Sequence, residues 1–121
     1  MTKARVRRRN SLLESIETLR ALEPRFNLSE LVVFFYVAEN AGINIAELAQ
    51  VAGMNMATAS RSVRALTSEK TDGALPPYCG LIDIQANPDD ARGRLLFLSE
   101  AGRKLCRELD RVIRNAVTIE L

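Results

Sequence analysis

Residues 46–60 read AELAQVAGMNMATAS, and RSVRALTSEK completes the run to Lys70. Two short helical patterns flank Gly53-Met54-Asn55. The first has Leu48, Ala49 and Ala52 to bury, and Ala49 is small enough for close approach of a partner helix. Gly53 suits a turn that needs a positive φ. Asn55 suits the capping position that starts the second pattern. That second pattern offers a core only Ala59, Val63 and Leu66. At roughly 100° per residue, Ala57, Arg61, Arg64 and Ser68 fall on the opposite side, flanked by Thr58, Ser60 and Ala65. A helix with so little to bury has an outer face that is slim, hydroxylated and basic. A major groove accepts this chemistry: low bulk, hydroxyl and amide groups for base edges, and guanidinium groups for guanine or phosphate. An ordinary solvated helix face has the same composition, so the rest of the chain has to separate the two.

Charge is distributed unevenly. The net charge is only +2 over 121 residues. Residues 1–9 nevertheless carry Lys3, Arg5, Arg7, Arg8 and Arg9 and no acid, whereas residues 10–55 carry two arginines against six glutamates. A basic arm and a basic second helix on a weakly acidic body point to an anionic partner better than the total does. The length predicts one small-cored domain, divided into a basic arm over 1–9 and a folded body over 10–121.

Several function classes drop out. The chain has no histidine, so Ser-His, Cys-His and His-metal arrangements are absent. Cys79 and Cys106 are too few for a disulfide scaffold and too distant in sequence for a zinc motif. No glycine-rich phosphate loop occurs. No metal, no cofactor and no enzymatic activity are therefore expected. No apolar run approaches the ~18 residues that cross a membrane, so the expectation is a reduced, cytoplasmic protein with no membrane partner.

Outside the opening stretch, Leu12, Leu13, Ile16, Leu19 and Leu22 recur at helical spacing up to Pro24. Asn27 with Glu30 predicts a capping box for a helix from Leu28 to Asn40. Its run LVVFFYVA is apolar nearly all round, which predicts the most buried helix. Gly42 suits a left-handed helix end, and Ile43-Asn44-Ile45 reads as a short extended piece. TDGALPPYCG is a loop. Leu81–Ile84 and Arg94–Leu98 read as the strands of a hairpin with turn chemistry at Asn87-Pro88-Asp89-Asp90. The hairpin end, ANPDDARGR, places Arg92 and Arg94 near its tip, where arginine meets phosphate or a minor groove, with Asp90 positioned to brace Arg92. Ser99 caps a last helix with Leu105, Leu109, Val112, Ile113, Ala116 and Val117 as apolar positions.

With these elements in order, ELAQVAGMNMATASRSVRAL, then GLIDI, then NPDDARGRLLFLSEAGRKL resembles the winged helix-turn-helix of MarR-type transcription regulators. The shared features are Leu48-Ala49, Gly53, the Ser/Thr-rich start of the second helix, Arg61, Val63 and Leu66. Gly80-Leu81-Ile82, Asp90-x-Arg92 and Leu98-Ser99-x-x-Gly102 complete them. The resemblance spans about residues 28–110. The loop Thr71–Cys79 is longer than the family's usual passage from helix to wing, the chain carries one C-terminal helix where members usually have more, and Ala91 stands where an arginine often precedes the wing arginine.

The expected architecture is mainly α with a small β-hairpin. The resemblance implies a homodimeric, sequence-specific DNA-binding regulator on a roughly palindromic double-stranded operator; a small-molecule effector is not specified. The expected DNA-binding residues are Asn55, Ala57, Thr58, Ser60, Arg61, Arg64, Arg92, Arg94, Arg7, Arg8 and Arg9. The expected dimerisation residues are Leu12, Ile16, Leu19, Leu105, Leu109, Val112, Ala116 and Val117. The alternative is a winged-helix module that binds protein and not DNA.

Overall fold

The structure is a computed structural model that describes residues 7–121, and the side chains of all of these except Ala91 and Arg92. Lys3 and Arg5 of the expected arm lie outside the described residues. Among the described residues, five helices and three strands follow in the order α1 (Ser11–Leu22), α2 (Leu28–Glu39), β1 (Ile43–Asn44), α3 (Ile45–Ala52), α4 (Met56–Leu66), β2 (Ile82–Asn87), β3 (Asp90–Leu98) and α5 (Glu100–Arg114). Among the described residues no helix is long and apolar enough to cross a membrane.

The helix starts are set by side chains. Asn10, Asn27, Asn44, Asn55 and Ser99 each accept a backbone N–H of the first turn of α1, α2, α3, α4 and α5 respectively. α2 and α3 have full capping boxes, Asn27 with Glu30 and Asn44 with Glu47. The helix-turn-helix turn is closed by Gly53 at φ +65°. The left-handed backbone there lets the Gly53 N–H and the Met54 N–H return to α3 carbonyls, the usual end of a helix at glycine.

The sheet is antiparallel in the order β1-β3-β2. Ile43 pairs with Leu96, so the short piece before α3 becomes an edge strand of the wing sheet. The second strand is longer than Arg94–Leu98 and begins at Asp90. Asn87 pairs with Asp90, but Ala86 pairs with Arg94. The tip is therefore the tight Pro88-Asp89 turn, and Ala91, Arg92 and Gly93 form an excess on the β3 side, a bulge that bends the wing.

One core holds these elements together. Val33, Phe34 and Val37 of α2, Leu48 of α3, Val63 and Leu66 of α4, Leu81, Ile82 and Leu96 of the wing, and Leu105 and Leu109 of α5 are all buried in it. The Ser99-x-x-Gly102 element now has a physical reason. Ser99 donates its backbone N–H to the Leu81 carbonyl and its hydroxyl to Gly80, at 2.9 and 2.6 Å. The first turn of α5 rests on that same Leu81 carbonyl, and a Cβ at Gly102 would run into it.

α2 departs from the reading of its sequence as the most buried helix. Val33, Phe34 and Val37 are in the core, but Val32 and Phe35 are exposed and Leu28 is 79% exposed. Being apolar all round, α2 buries one face inside this chain and leaves the other on the surface.

Candidate nucleic-acid interface

α4 has a divided surface. Ala59, Ser62, Val63, Ala65 and Leu66 are buried. Ser62 and Ala65 extend the buried side beyond the three residues that periodicity gives, because α2 and the loop after α4 cover that flank. Ala65 is thus no part of the outer face. Asn55, Ala57 and Arg61 are exposed, and Thr58 and Ser60 are half-buried. Asn55 spends its side-chain oxygen on the Thr58 N–H, at 2.8 Å, which leaves the NH2 group of this exposed residue as its donor. Arg61 makes no hydrogen bond or ion pair among the described residues and stands in the open.

Arg64 is placed differently. It is half-buried, and its Nε donates to the Gly73 carbonyl at 2.6 Å. One turn beyond Arg61, this guanidinium leans on the loop instead of standing clear of the helix.

Between α4 and the wing lies a cleft of ≈ 390 Å³. Ser60 and Met56 line one wall, Asn87, Gly93 and Arg94 another, and Asn44 closes the end near the start of α3. Arg94 is exposed on β3 and donates to the Gly93 carbonyl at 3.0 Å. The Arg92 side chain, and with it the expected Asp90 brace, lies outside the described side chains. The contribution of Asn44 and Met56 to this cleft was missed by the sequence reading. The Asn44-x-x-Glu47 box, the same signal as Asn27-x-x-Glu30, marks where α3 begins and hence where the wall lies.

The described part of the arm folds back on the body. Arg9 meets Glu17 at 2.8 Å and Glu14 at 3.3 Å, and Arg8 meets Glu120 at 2.9 Å. Arg7 is exposed. Exposed pairs of this kind are worth ~0–1 kcal/mol each, so a polyanion competes with them at little cost.

No sequence-family model and no curated protein sequence matches the chain. Solved structures do. The RV1404 protein of Mycobacterium tuberculosis superposes with a TM-score of 0.69 at 20% identity, over 87% of this chain and 65% of that one. A mutant MarR of E. coli complexed with operator DNA gives 0.60 at 21% identity, over 85% and 68%. The S. aureus MepR–DNA complex gives 0.68 at 15% identity, over 84% and 74%. The chain has the MarR-type winged-helix fold. It spans just under two thirds of the length of the RV1404 protein.

In this MarR-type fold α1 and α5 lie against each other within one chain. Ser11 donates its N–H to the Val117 carbonyl at 2.8 Å, and Val117 donates its N–H to the Ser11 hydroxyl at 2.7 Å. The two apolar stripes therefore divide. Leu19, Leu105, Leu109 and Val112 are buried in the chain's own core, whereas Leu12, Ile16, Ala116 and Val117 are exposed. Between α1, α2 and α5 runs an apolar groove of ≈ 510 Å³, whose floor is Leu19, Leu31 and Leu109 and whose rim includes Leu12, Ile16, Leu28, Phe35 and Ile113.

The cysteines are free and half-buried. Burial, then the Glu30 and Glu23 carboxylates, push the Cys79 thiol up to about 12. Burial, then Glu39, raises Cys106. Neither sits in the electropositive setting that produces a reactive thiolate.

Proposed function

We propose that this protein is a sequence-specific DNA-binding transcription regulator that acts as a homodimer, with α4 in the major groove and the β2–β3 wing near the minor groove. The observation that carries this reading is the outer face of α4. It presents Asn55, Ala57, Thr58, Ser60 and a free-standing Arg61 on a helix fixed from behind by the core. The likeness to MarR and MepR proteins solved with DNA supports it. Arg61 is the base-reading residue, by bidentate donation to guanine. Arg94 and Arg92 serve the wing, and Arg7, Arg8 and Arg9 supply mainly sequence-independent attraction to phosphate. The homodimer rests on the open apolar groove. Leu12, Ile16, Ala116 and Val117 meet the partner, and Leu19, Leu105, Leu109 and Val112 support them from inside. Two-fold symmetry then sets the two α4 helices about one DNA turn, ~34–36 Å, apart on a roughly palindromic site.

The test uses a duplex selected from a random pool and a scrambled duplex of equal length. Arg61→Ala is expected to weaken binding to the selected duplex by ~1–3 kcal/mol, to change binding to the scrambled one far less, and to leave the melting temperature in place. Equal affinity of wild type and Arg61→Ala for the selected duplex would remove the reading-helix assignment. Absence of any duplex binding at low salt would leave the protein-binding module as the better reading.

A further inference from the structure

The loop between α4 and β2 is bonded to the end of the helix along its length. The last carbonyls of an α-helix have no partner within the helix. Here the Leu75 N–H donates to the Arg64 carbonyl at 3.0 Å, Cys79 to Ala65 at 3.1 Å, Leu81 to Leu66 at 2.8 Å, and Gly80 to Thr67 at 3.3 Å. The Thr67 hydroxyl adds a second donor to the Arg64 carbonyl, at 2.8 Å. Loop amides thus replace the turn of helix that α4 does not make.

Arg64 closes this arrangement from the other side. Its backbone accepts from the loop at Leu75, and its Nε donates back to the loop at Gly73, at 2.6 Å. Gly73 has φ +79°, a conformation that favours glycine, and a Cβ added there would lie 3.5 Å from that Nε. The side chain and the backbone of one residue therefore hold two points of the same loop.

We propose that Arg64 is a positioning residue: it latches the loop 71–80 onto the C-terminal end of α4, and the latched loop fixes the direction in which α4 presents Ser60 and Arg61. This rests on the DNA-binding reading above and divides labour between two arginines one turn apart. Arg61 stands free and meets the base. Arg64 has its Nε occupied and acts through the helix. Loss of the latch lets the last turn of α4 fray, because the loop then has one anchor fewer, at the Gly73 carbonyl, and its amides open more often.

Two substitutions separate this role from direct contact. Glutamine carries its side-chain nitrogen the same number of bonds from Cα as the arginine Nε. Arg64→Gln thus keeps a donor for Gly73 and removes the guanidinium and its charge. Arg64→Ala removes both. In the free protein, Arg64→Ala is expected to speed amide hydrogen exchange at Leu75, Cys79, Gly80 and Leu81 by about three- to tenfold, the effect of one hydrogen bond, and Arg64→Gln to restore most of the protection. With the selected duplex, Arg64→Ala should lose affinity while the dependence of log affinity on log salt keeps its slope, because no phosphate contact is lost. Arg64→Gln should recover that affinity.

Unchanged exchange in Arg64→Ala overturns the latch. So does Arg64→Gln that fails to restore protection, since a donor at that position is all the latch requires. Restored protection with affinity still as low as in Arg64→Ala assigns the guanidinium to DNA and overturns the division of labour. A wild type that binds no duplex removes the DNA reading alone, and the exchange arm still decides the latch.

Discussion

α2 and α4 are neighbours in the core and opposites on the surface. α2 is apolar nearly all round, and the chain covers only its Val33, Phe34 and Val37 side, leaving Leu28, Val32 and Phe35 in the open. α4 buries Ala59, Val63, Ala65 and Leu66, with Ser62 added, so its free side holds Met56, Ala57, small polar groups and Arg61. One helix has more apolar surface than its own chain covers; the other has a mostly polar free face, with Met56 as its large apolar side chain. A surplus of the first kind is satisfied by another apolar surface, and a slim basic face by an anion. The two faces thus suit chemically different partners, and the groove between α1, α2 and α5 is of the first kind.

The comparison breaks most visibly at Leu109 and Ile113, which line the same groove. Leu109 is 4% exposed and Ile113 is 63% exposed. Leu109→Glu forfeits the packing of a core leucine, ~2–5 kcal/mol, and adds an unpaired buried carboxylate. It is expected to unfold most of the chain. Ile113→Glu should leave thermal melting of the dilute protein within a degree or two of wild type and abolish self-association seen by light scattering. If Ile113→Glu melts as low as Leu109→Glu, the exposed rim is part of the chain's own core and the surplus argument collapses.

A sharper version uses the two caps. Asn27 and Asn55 accept equivalent first-turn N–H groups, each at 2.8 Å, at the starts of α2 and α4. Replacement of either by alanine is expected to cost ~1 kcal/mol of stability, read as similar shifts in urea midpoint. Asn55→Ala should weaken binding to the selected duplex more than Asn27→Ala, because Asn55 starts α4 itself, whereas Asn27 reaches Thr58 and Arg61 only across a shared cleft. Equal losses of DNA affinity in both variants would mean that helix stability in general, and not the α4 face, sets the affinity.

Much of this was legible in the sequence, and the illegible parts share a cause. Gly53, Asn55, the Asn27–Glu30 box and the Ser99 cap each depend on which residue stands at one or two positions beside a helix end, so residue identity reveals them. The free side of α2 was hidden because apolar periodicity says which residues avoid water and not whether this chain has enough partners for them. The division of the α1 and α5 stripes into buried Leu19, Leu105, Leu109 and Val112 and exposed Leu12 and Ile16 was hidden for the same reason. The loop 71–80 was hidden because its bonds to α4 join backbone amides to backbone carbonyls, which carry no side-chain signature. Arg64 and Arg61 share a helix face by periodicity, and only the Gly73 carbonyl beside Arg64 sets them apart.

A pH-dependent effect concerns Cys79, which sits on that loop beside the α2 cap. The thiol is half-buried, and burial together with Glu30 and Glu23 outweighs the opposing pull of Arg25, so its value stands at about 12. In the unfolded chain a cysteine ionises near ~8.5. The folded state therefore favours the protonated thiol, and the stability this contributes is complete below about pH 8.5 and lost as pH rises toward 12. Relative to Cys79→Ala, the wild type should lose stability between pH 8 and 10.5 and hold it between pH 6 and 8. The thiolate is the nucleophile, so iodoacetamide at pH 8 should modify Cys79 more slowly in the folded protein than in urea, as read by peptide mapping that resolves it from Cys106. Fast modification of the folded protein, with loss of DNA binding, would make this loop a reactive switch attached to α4. Slow modification leaves Cys79 as packing beneath the latch.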